Sequence, residues 1–385
     1  MRNKLTLTSP IACFLPILVI VPILKDLIFN IHPGGISTLY KFFSSAISPS
    51  LNHLVLQNAL HGIKTTVAIA FIGWIISIVN GLFLGLICSE TFYKLFDSPQ
   101  IIQKSIKRFL AIPRGIHELV WGLLLLQFFG LTVWIAIVAI AIPYSSLMAR
   151  VFADQIDALD IKPIQAIKTT GAGSLEILIT ALSPKLLPII ILHGGYRLEC
   201  ALRGATLLGV FGLGGIGTEL QLSIQSLEFK EVWTSLWILG IAIFTLEKVI
   251  LLAQKLIKDK KNINTFLINC FLVISLLLII SISYIGSLDM ETSFKFIPLD
   301  FPNSNQIYTA LTRLDLMRLA IESINIMILA SGFAVGMPPL ISLLFPEVFS
   351  RKIINIIWLI CRLIPVPLIA LLLLLCINPS ISVAA

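Results

Sequence analysis

The chain has 385 residues, of which 57% are hydrophobic and only 12% are charged, and its 28 Lys and Arg against 20 Asp and Glu give a net charge of +8. Soluble globular chains carry about 25% charged residues, so this composition excludes a water-soluble fold and predicts a membrane protein. The basic residues lie between apolar stretches and form no stripe interleaved with aromatic residues, which argues against nucleic-acid binding. The six cysteines are scattered without a CxxC pair, which argues against disulfide and metal roles.

Apolar stretches long enough to cross a bilayer recur along the chain. A spanning helix needs about 20 apolar residues, and helices are the expected spanning element because they satisfy their backbone groups internally. The predicted helices cover residues 11–29, 65–88, 116–131, 132–148, 186–210, 232–253, 266–285, 320–345 and 353–377. The predicted fold class is therefore an all-α polytopic membrane protein.

The distribution of Lys and Arg predicts the orientation of these helices. If the N-terminus is cytoplasmic, 18 of the 28 Lys and Arg residues fall in cytoplasmic segments and 7 in external ones. Positively charged loops stay on the cytoplasmic side during membrane insertion. The sequence thus predicts a multi-pass protein with its N-terminus inside the cell, and an external loop over residues 213–231.

An internal repeat is indicated by two stretches that align without a gap. Residues 114–126 open with Arg and run into four consecutive leucines, and residues 362–374 do the same. Repeats are common in membrane transporters. We predict one complete module over residues 1–258, with a loop at 155–187, and a partial second module of about three helices over 262–385. The alternative is that leucine-rich helices align by composition alone.

The loop between the fourth and fifth predicted helices carries the first functional motif. It contains Gln165, Ala166 and Ile167, then Gly171, and Pro184 follows later. A short amphipathic helix with small residues can enter a partner's groove, a glycine can reverse the chain, and a proline suits the start of the next helix. The predicted apolar face consists of Ile156, Leu159, Ile164 and Ile167.

This spacing resembles the EAA motif of ABC-importer permeases. In that motif E-A-A is followed by three residues, a glycine, nine residues and I-x-L-P. Here Gln165 replaces the glutamate and Ile167 the second alanine, while Gly171 and Pro184 keep their places. The resemblance implies that the loop is a coupling helix on which a separate ATPase subunit docks.

A second resemblance lies downstream. The stretch from Tyr196 to Gly217 is similar to the corresponding part of phosphonate-type ABC permeases, where a Y/F-R-x-E helix runs into a glycine-rich turn. The glycines of this turn are Gly209, Gly212, Gly214, Gly215 and Gly217. Glycines there allow close backbone packing or line a path. The resemblance implies a type I ABC importer (MetI-like) transmembrane domain that moves phosphonate, phosphite or a related phosphorus oxyanion.

Three charged residues fall within the fifth predicted helix: Arg197, Glu199 and Arg203. Each charge at membrane depth costs about 2.5–3.5 kcal/mol on insertion scales. Glu199 and Arg203 are four residues apart and can pair, whereas Arg197 points elsewhere. Its candidate partners are an anionic substrate, Glu118 or Glu247. The three residues are therefore candidates for a translocation path, with structural pairing as the alternative.

Taken with the resemblance, these features predict a non-catalytic permease subunit without catalytic residues, metal ligands or cofactors of its own. ATP and Mg would be bound by a partner ATPase, because the chain contains no G-x-x-x-x-G-K-[ST] phosphate loop. The resemblance also implies an external solute-binding protein and a second permease half, from a homodimer or a missing fused module. The alternative functions are an ion-coupled secondary transporter or channel and, less well supported, a membrane-embedded enzyme.

Overall fold

The structure is a computed structural model that describes residues 34–96, 99–159, 162–177, 183–258, 263–288, 303–313 and 315–344, with a few further positions within 21–31, at 180 and within 369–377. The helices are Gly35–Ser45 (α1), His53–Cys88 (α2), Glu90–Leu95 (α3), Gln100–Phe109 (α4), Ala111–Gly115 (α5), Glu118–Phe129 (α6), Val133–Asp157 (α7), Lys162–Thr169 (α8), Ser174–Ile177 (α9), Ser183–Leu208 (α10), Ile216–Gln225 (α11), Phe229–Lys258 (α12), Ile263–Leu288 (α13), Ser304–Arg313 (α14) and Leu316–Leu344 (α15). Apart from one isolated bridge between Ile31 and Ile377, the described residues contain no β-structure. The all-α prediction is confirmed.

The chain divides into two compact units. One unit is residues 50–298 and contains α2 to α13; the other combines residues 1–49 and 299–385 and contains α1, α14 and α15. The predicted modules 1–258 and 262–385 divide the chain by sequence repeat, whereas these two units divide it by packing. The division by repeat stays a prediction, since most of residues 345–385 lie outside the described part of the chain.

Four described helices are long and apolar enough to cross a membrane, or up to six if each of two bent helix pairs forms one span. The four are within α2, α7, α12 and α13, and the bent pairs are Gln100–Gly115 with Glu118–Phe129 and Ile189–Leu213 with Ile216–Gln225. The predicted first and last helices lie mostly outside the described residues.

The helices differ in extent from the prediction at several places. Helix α2 begins at His53, twelve residues before its predicted start, and the Asn52 side chain accepts from the Leu54 N–H as its cap. The helix predicted to end at residue 148 continues as α7 to Asp157, because Phe152, Ala153 and Ile156 in its last turns are fully or almost fully buried and packing keeps these turns helical. The predicted external loop at 213–231 contains the ten-residue helix α11. Its spaced apolar residues Ile216, Leu220 and Ile224 are buried, so packing on the rest of the unit stabilises this helix.

The core of the unit formed by residues 50–298 lies where α2 packs along α7, with α10, α11 and α12 around them. On α7, the small residues Ala136 and Ala139 alternate with Ile137 and Ile140, and all four are fully or almost fully buried. Small residues let helix backbones approach closely in a membrane, where van der Waals packing drives association. The α2–α7 pair is thus the rigid centre of this unit.

Glycines line the face of α2 that meets α7. A methyl group at Gly73 would lie 3.3 Å from Ile140 Cγ2, at Gly81 2.5 Å from Met148 Cβ, and at Gly85 2.9 Å from Phe152 Cβ. The Cβ atoms of Met148 and Phe152 cannot move without their helix. These glycines therefore set the distance between the two helices.

Replacing Gly81 with alanine should destabilise the protein even though alanine is the better helix former. The propensity gain is at most about 1 kcal/mol, whereas forcing a methyl group into a filled contact costs about 1–3 kcal/mol. We expect a lower melting temperature of the purified protein in detergent. The matched control is Gly286→Ala on α13, where no atom lies within 4 Å of the added methyl group. A Gly81→Ala protein as stable as this control would contradict the packing argument.

Candidate functional site

The loop predicted to dock a partner forms two short helices joined by a sharp turn. Gln165, Ala166 and Ile167 lie on α8, which ends at Thr169. Gly171 follows with φ of +85°, a conformation that favours glycine. After α9, helix α10 begins at Ser183, so Pro184 lies in its first turn, where the missing N–H of proline costs nothing. The side chains of Gln165 and Pro184 lie outside the described residues.

One side of this loop is fastened to the helix bundle by an apolar cluster. Its buried members are Leu95, Ile156, Ile177 and Leu186, and Leu159 and Ile167 pack against them partly buried. Three of the four residues predicted for the apolar face, Ile156, Leu159 and Ile167, are thus confirmed in one cluster; the side chain of Ile164 is not among those described.

The opposite side of the loop is open. Ala166, Lys168, Thr169 and Gly171 are exposed, and nothing lies within 4 Å of a methyl group placed on Gly171. A small residue beside an exposed turn leaves room for another protein's surface to approach. The geometry therefore provides an outward face that the predicted docking role needs.

The glycine-rich turn follows α10. Residues Gly209–Leu213 form a π-helical turn with a kink, and Gly212, Gly214 and Gly215 have φ of +89°, +91° and +90°. The chain then enters α11 at an angle of 56° to the preceding helix. Only residues that tolerate positive φ can make this bend at low cost, which explains three glycines within four positions.

The end of this turn is fixed by a contact from α2. The backbone N–H of Ile216, at the start of α11, donates to Thr66 Oγ1 at 2.8 Å, and Thr66 is fully buried. The two remaining glycines serve close packing: a methyl group at Gly209 would lie 2.5 Å from the Gly214 carbonyl oxygen, and Gly217 is surrounded by backbone atoms. The sequence analysis missed Thr66, because its partner is 150 positions away.

The predicted pair of Glu199 and Arg203 on α10 is confirmed. An Nη of Arg203 donates to Glu199 Oε1 in an i,i+4 ion pair, and Glu199 is buried. The Nε of Arg203 is also buried and has no hydrogen-bond partner among the described residues. The charge of Arg203 is thus paired, and one of its N–H groups is left without an acceptor among the described residues.

Arg197 has a partner that the sequence analysis missed. Its guanidinium carbon lies 4.6 Å from the centre of the Tyr144 ring, a cation–π contact. The Tyr144 hydroxyl donates to Glu118 Oε1 at 3.2 Å and also lies 3.3 Å from the Cys200 carbonyl oxygen. Of the partners predicted for Arg197, Glu118 is thus linked to it through Tyr144 instead of by a direct ion pair.

The contact with Tyr144 leaves the N–H groups of Arg197 without a carboxylate among the residues that the structure describes. A guanidinium held by an aromatic ring keeps its hydrogen-bond donors for another acceptor. A signal for Tyr144 was present in the sequence: it is a lone tyrosine directly after Pro143 in an apolar stretch. Its distance from Arg197 along the chain hid the contact. No group of three or more His, Cys, Asp or Glu side chains that could hold a metal occurs among the described residues.

Comparison with known proteins supports the resemblance. Residues 81–263 match the family described as "binding-protein-dependent transport system inner membrane component". This range contains the loop, the glycine-rich turn, and Arg197, Glu199 and Arg203 of α10. A solved structure of the MetNI methionine ABC transporter in inward-facing conformations contains a chain with the same fold, at a TM-score of 0.50 and 17% identity, covering 54% of this chain and 99% of that one.

Curated relatives are similar at low identity. The putative phosphite transport system permease protein HtxC of Stutzerimonas stutzeri is 26% identical over 230 residues, which cover 60% of this chain and 79% of that protein. The phosphate-import permease protein PhnE of Mycolicibacterium smegmatis is 26% identical over 163 residues, but the match covers only 31% of its length. The putative cryptic phosphonate transport system permease protein PhnE2 of Escherichia coli is 28% identical over 120 residues, 96% of its length. The match to the inner membrane components of binding-protein-dependent transport systems thus covers a little under half of the chain.

Proposed function

We propose that this protein is the non-catalytic membrane permease subunit of an ATP-binding-cassette importer. The observation that carries the proposal is the loop from α8 to the start of α10, which has one apolar side packed on the bundle and one exposed side at a glycine turn. A separate ATPase subunit would bind ATP and Mg and dock on the exposed side. This position suits the predicted orientation with the N-terminus in the cytoplasm.

The proposed substrate is a phosphorus oxyanion such as phosphonate, phosphite or phosphate. The printed names of three relatives support this class, and so does the chemistry of α10. Arg197 carries donors that no described carboxylate occupies, and guanidinium groups bind such oxyanions through paired hydrogen bonds. Arg197, Glu199 and Arg203 would then line the translocation path. Delivery from outside would require a solute-binding protein.

The proposal includes a second permease half. Importers of this type work with two permease halves and two docking loops, and this chain contains one match to the loop motif. The second half comes either from another copy of the chain or from a further module like the partial one predicted at 262–385. Gel filtration of the chain in complex with its ATPase distinguishes the two arrangements.

The docking role can be tested by purifying the chain with the P-loop ATPase encoded beside it. Replacing Gly171 with valine places a side chain in the left-handed region, at a cost of about 1–2 kcal/mol, so the turn will shift. We expect ATPase binding to weaken about 5- to 30-fold, which is that free energy expressed as an equilibrium constant. Association is measured in nanodiscs, together with ATP hydrolysis.

The matched control is Gly34→Val. Gly34 has φ of +94° and open space around it, like Gly171, but it lies outside the loop. The same backbone cost there should leave ATPase binding unchanged. If the wild-type chain is well folded and binds no ATPase, the importer assignment fails and the ion-coupled secondary transporter becomes the better hypothesis.

A further inference from the structure

A half-buried carboxylate, that of Asp157, ties the end of α7 to the short helix α3, which follows α2. Asp157 is the last residue of α7. Its Oδ1 accepts from the Ser89 hydroxyl at 2.6 Å and from the Thr91 backbone N–H at 3.0 Å, and Lys107 Nζ lies 3.8 Å from its Oδ2. Ser89 is completely buried. Charge-assisted hydrogen bonds of this kind are among the stronger ones in proteins.

The other end of α3 contacts the docking loop, which is the segment from α8 to the start of α10. The carbonyl oxygen of Leu95 accepts from Lys168 Nζ at 3.4 Å and from the Ser174 hydroxyl at 3.1 Å. Lys168 and Ser174 lie on the two sides of the Gly171 turn. The side chain of Leu95 also belongs to the apolar cluster with Ile156 and Ile177. A displacement of the loop must therefore displace α3.

Helix α3 is in turn joined closely to α2. Only Ser89 separates them, and its hydroxyl also accepts from the Phe92 N–H at 3.4 Å as the cap of α3. The Cys88 carbonyl at the end of α2 accepts from Gln103 Nε2 at 2.9 Å, and Gln103 is buried. The junction between α2 and α3 is thus fixed by hydrogen bonds to the Ser89 hydroxyl and to the Cys88 carbonyl oxygen.

Helix α2 carries this connection across the bilayer. Thr66, which lies about two fifths of the way along α2, holds the start of α11 behind the glycine-rich turn. The 22 helical steps from Thr66 to Cys88 extend about 33 Å at the rise of an α-helix, close to the thickness of the hydrocarbon core of a bilayer. One helix therefore adjoins α3 at its carboxyl end and contacts the start of α11 at Thr66, about 33 Å away.

We propose that α3, positioned by Asp157, is the element that passes movement of the docking loop into α2 and so to the glycine-rich turn. This inference rests on the proposed function and adds a second transmission route beside the direct connection through α10. Asp157 is a positioning residue in this scheme. Without it, the loop still binds the ATPase, but its movement no longer reaches α2.

The test compares Asp157→Ala with wild type in proteoliposomes containing the ATPase and solute-binding protein. We expect ATPase binding and ATP hydrolysis within about twofold of wild type, and phosphite uptake per ATP lower by about tenfold, the effect of one lost charge-assisted hydrogen bond. Asp157→Asn keeps an acceptor for Ser89 and Thr91 and should restore much of this ratio. The control is Asp154→Ala, because Asp154 is exposed on the same helix and pairs only with Arg150 among the described residues.

A second measurement needs no partner and no transport. In the purified chain, Asp157→Ala should accelerate amide hydrogen exchange about tenfold in residues 89–96 and also accelerate it in 162–177, whereas Asp154→Ala should change neither. Unchanged exchange in 162–177 overturns the inference even if transport is active. An unchanged uptake-to-ATP ratio in Asp157→Ala also overturns it. If the wild-type chain neither binds the ATPase nor supports uptake, the proposed function fails. The inference about α3 is then tested by amide hydrogen exchange alone.

Discussion

Replacing Gly217 with alanine is expected to destabilise the unit of residues 50–298 strongly. Gly217 lies in the first turn of α11, and a methyl group there would overlap the Thr206 carbonyl oxygen and lie 2.6 Å from the Val210 nitrogen and 2.8 Å from the Gly209 carbonyl carbon. All three neighbours are backbone atoms of α10 and the glycine-rich turn, so no flexible side chain can give way. We expect a loss of about 3 kcal/mol or more, the upper end for overpacking. The measurement is thermal stability and monodispersity of the detergent-purified protein.

A second substitution separates steric overlap from backbone strain at this turn. Gly212 has φ of +89°, but its nearest neighbour to an added methyl group is the Leu131 side chain at 3.8 Å. Gly212→Ala therefore carries the conformational cost without the overlap and should destabilise the protein much less. An equal loss of stability in the Gly217→Ala and Gly212→Ala variants would show that backbone conformation, and not close packing of α11, requires glycine in this turn.

Replacing Arg197 with glutamine should lower phosphite uptake at subsaturating substrate by about tenfold or more, since charged hydrogen bonds contribute about 1.5–3 kcal/mol. Membrane abundance should stay unchanged, because Arg197 is held by the ring of Tyr144 and by no described carboxylate. Its removal thus leaves no buried charge unpaired. The measurement is initial uptake in proteoliposomes, with abundance followed by quantitative blotting.

Two companion variants make this result specific. Arg150→Gln removes an exposed arginine that pairs with Asp154 on α7, and it should leave uptake unchanged. Tyr144→Phe keeps the ring under Arg197 but removes the hydroxyl that donates to Glu118, so it should retain most of the uptake. If Arg197→Gln lowers membrane abundance as much as it lowers uptake, the result contradicts a role for Arg197 in the translocation path and supports a structural role.

The sequence predicted those parts of the site that depend on neighbouring residues. The docking loop, its apolar face and the turn at Gly171 follow from spacing within about twenty positions, because helix periodicity and glycine conformation act locally. The i,i+4 pair of Glu199 and Arg203 is predictable for the same reason. Family resemblance added the substrate class and the partners, which spacing alone does not provide.

The missed contacts join residues far apart in the chain. Tyr144 meets Arg197 only because α7 packs beside α10, and Asp157 reaches Ser89 only because α2 and α7 end at the same level. Helix α11 was missed for a related reason. Its glycine-rich start and its single short helix of ten residues resemble a loop locally, and burial of Ile216 and Leu220 under neighbouring helices provides the stability that the segment lacks alone.

The tilt of helix α13 depends on how little of its surface packs against the rest of the chain. Only 6% of its spanning window is buried in the protein, and near one end Tyr284 meets Thr65, with 3.3 Å between their hydroxyl oxygens. Its apolar stretch Ile268–Leu288 is 21 residues long, about 31 Å, so it matches a bilayer core of about 30 Å closely. Few contacts within this chain therefore restrain the tilt of this helix, and a change in lipid thickness can alter it. A thinner bilayer would lean it over, with the Tyr284 end as the pivot.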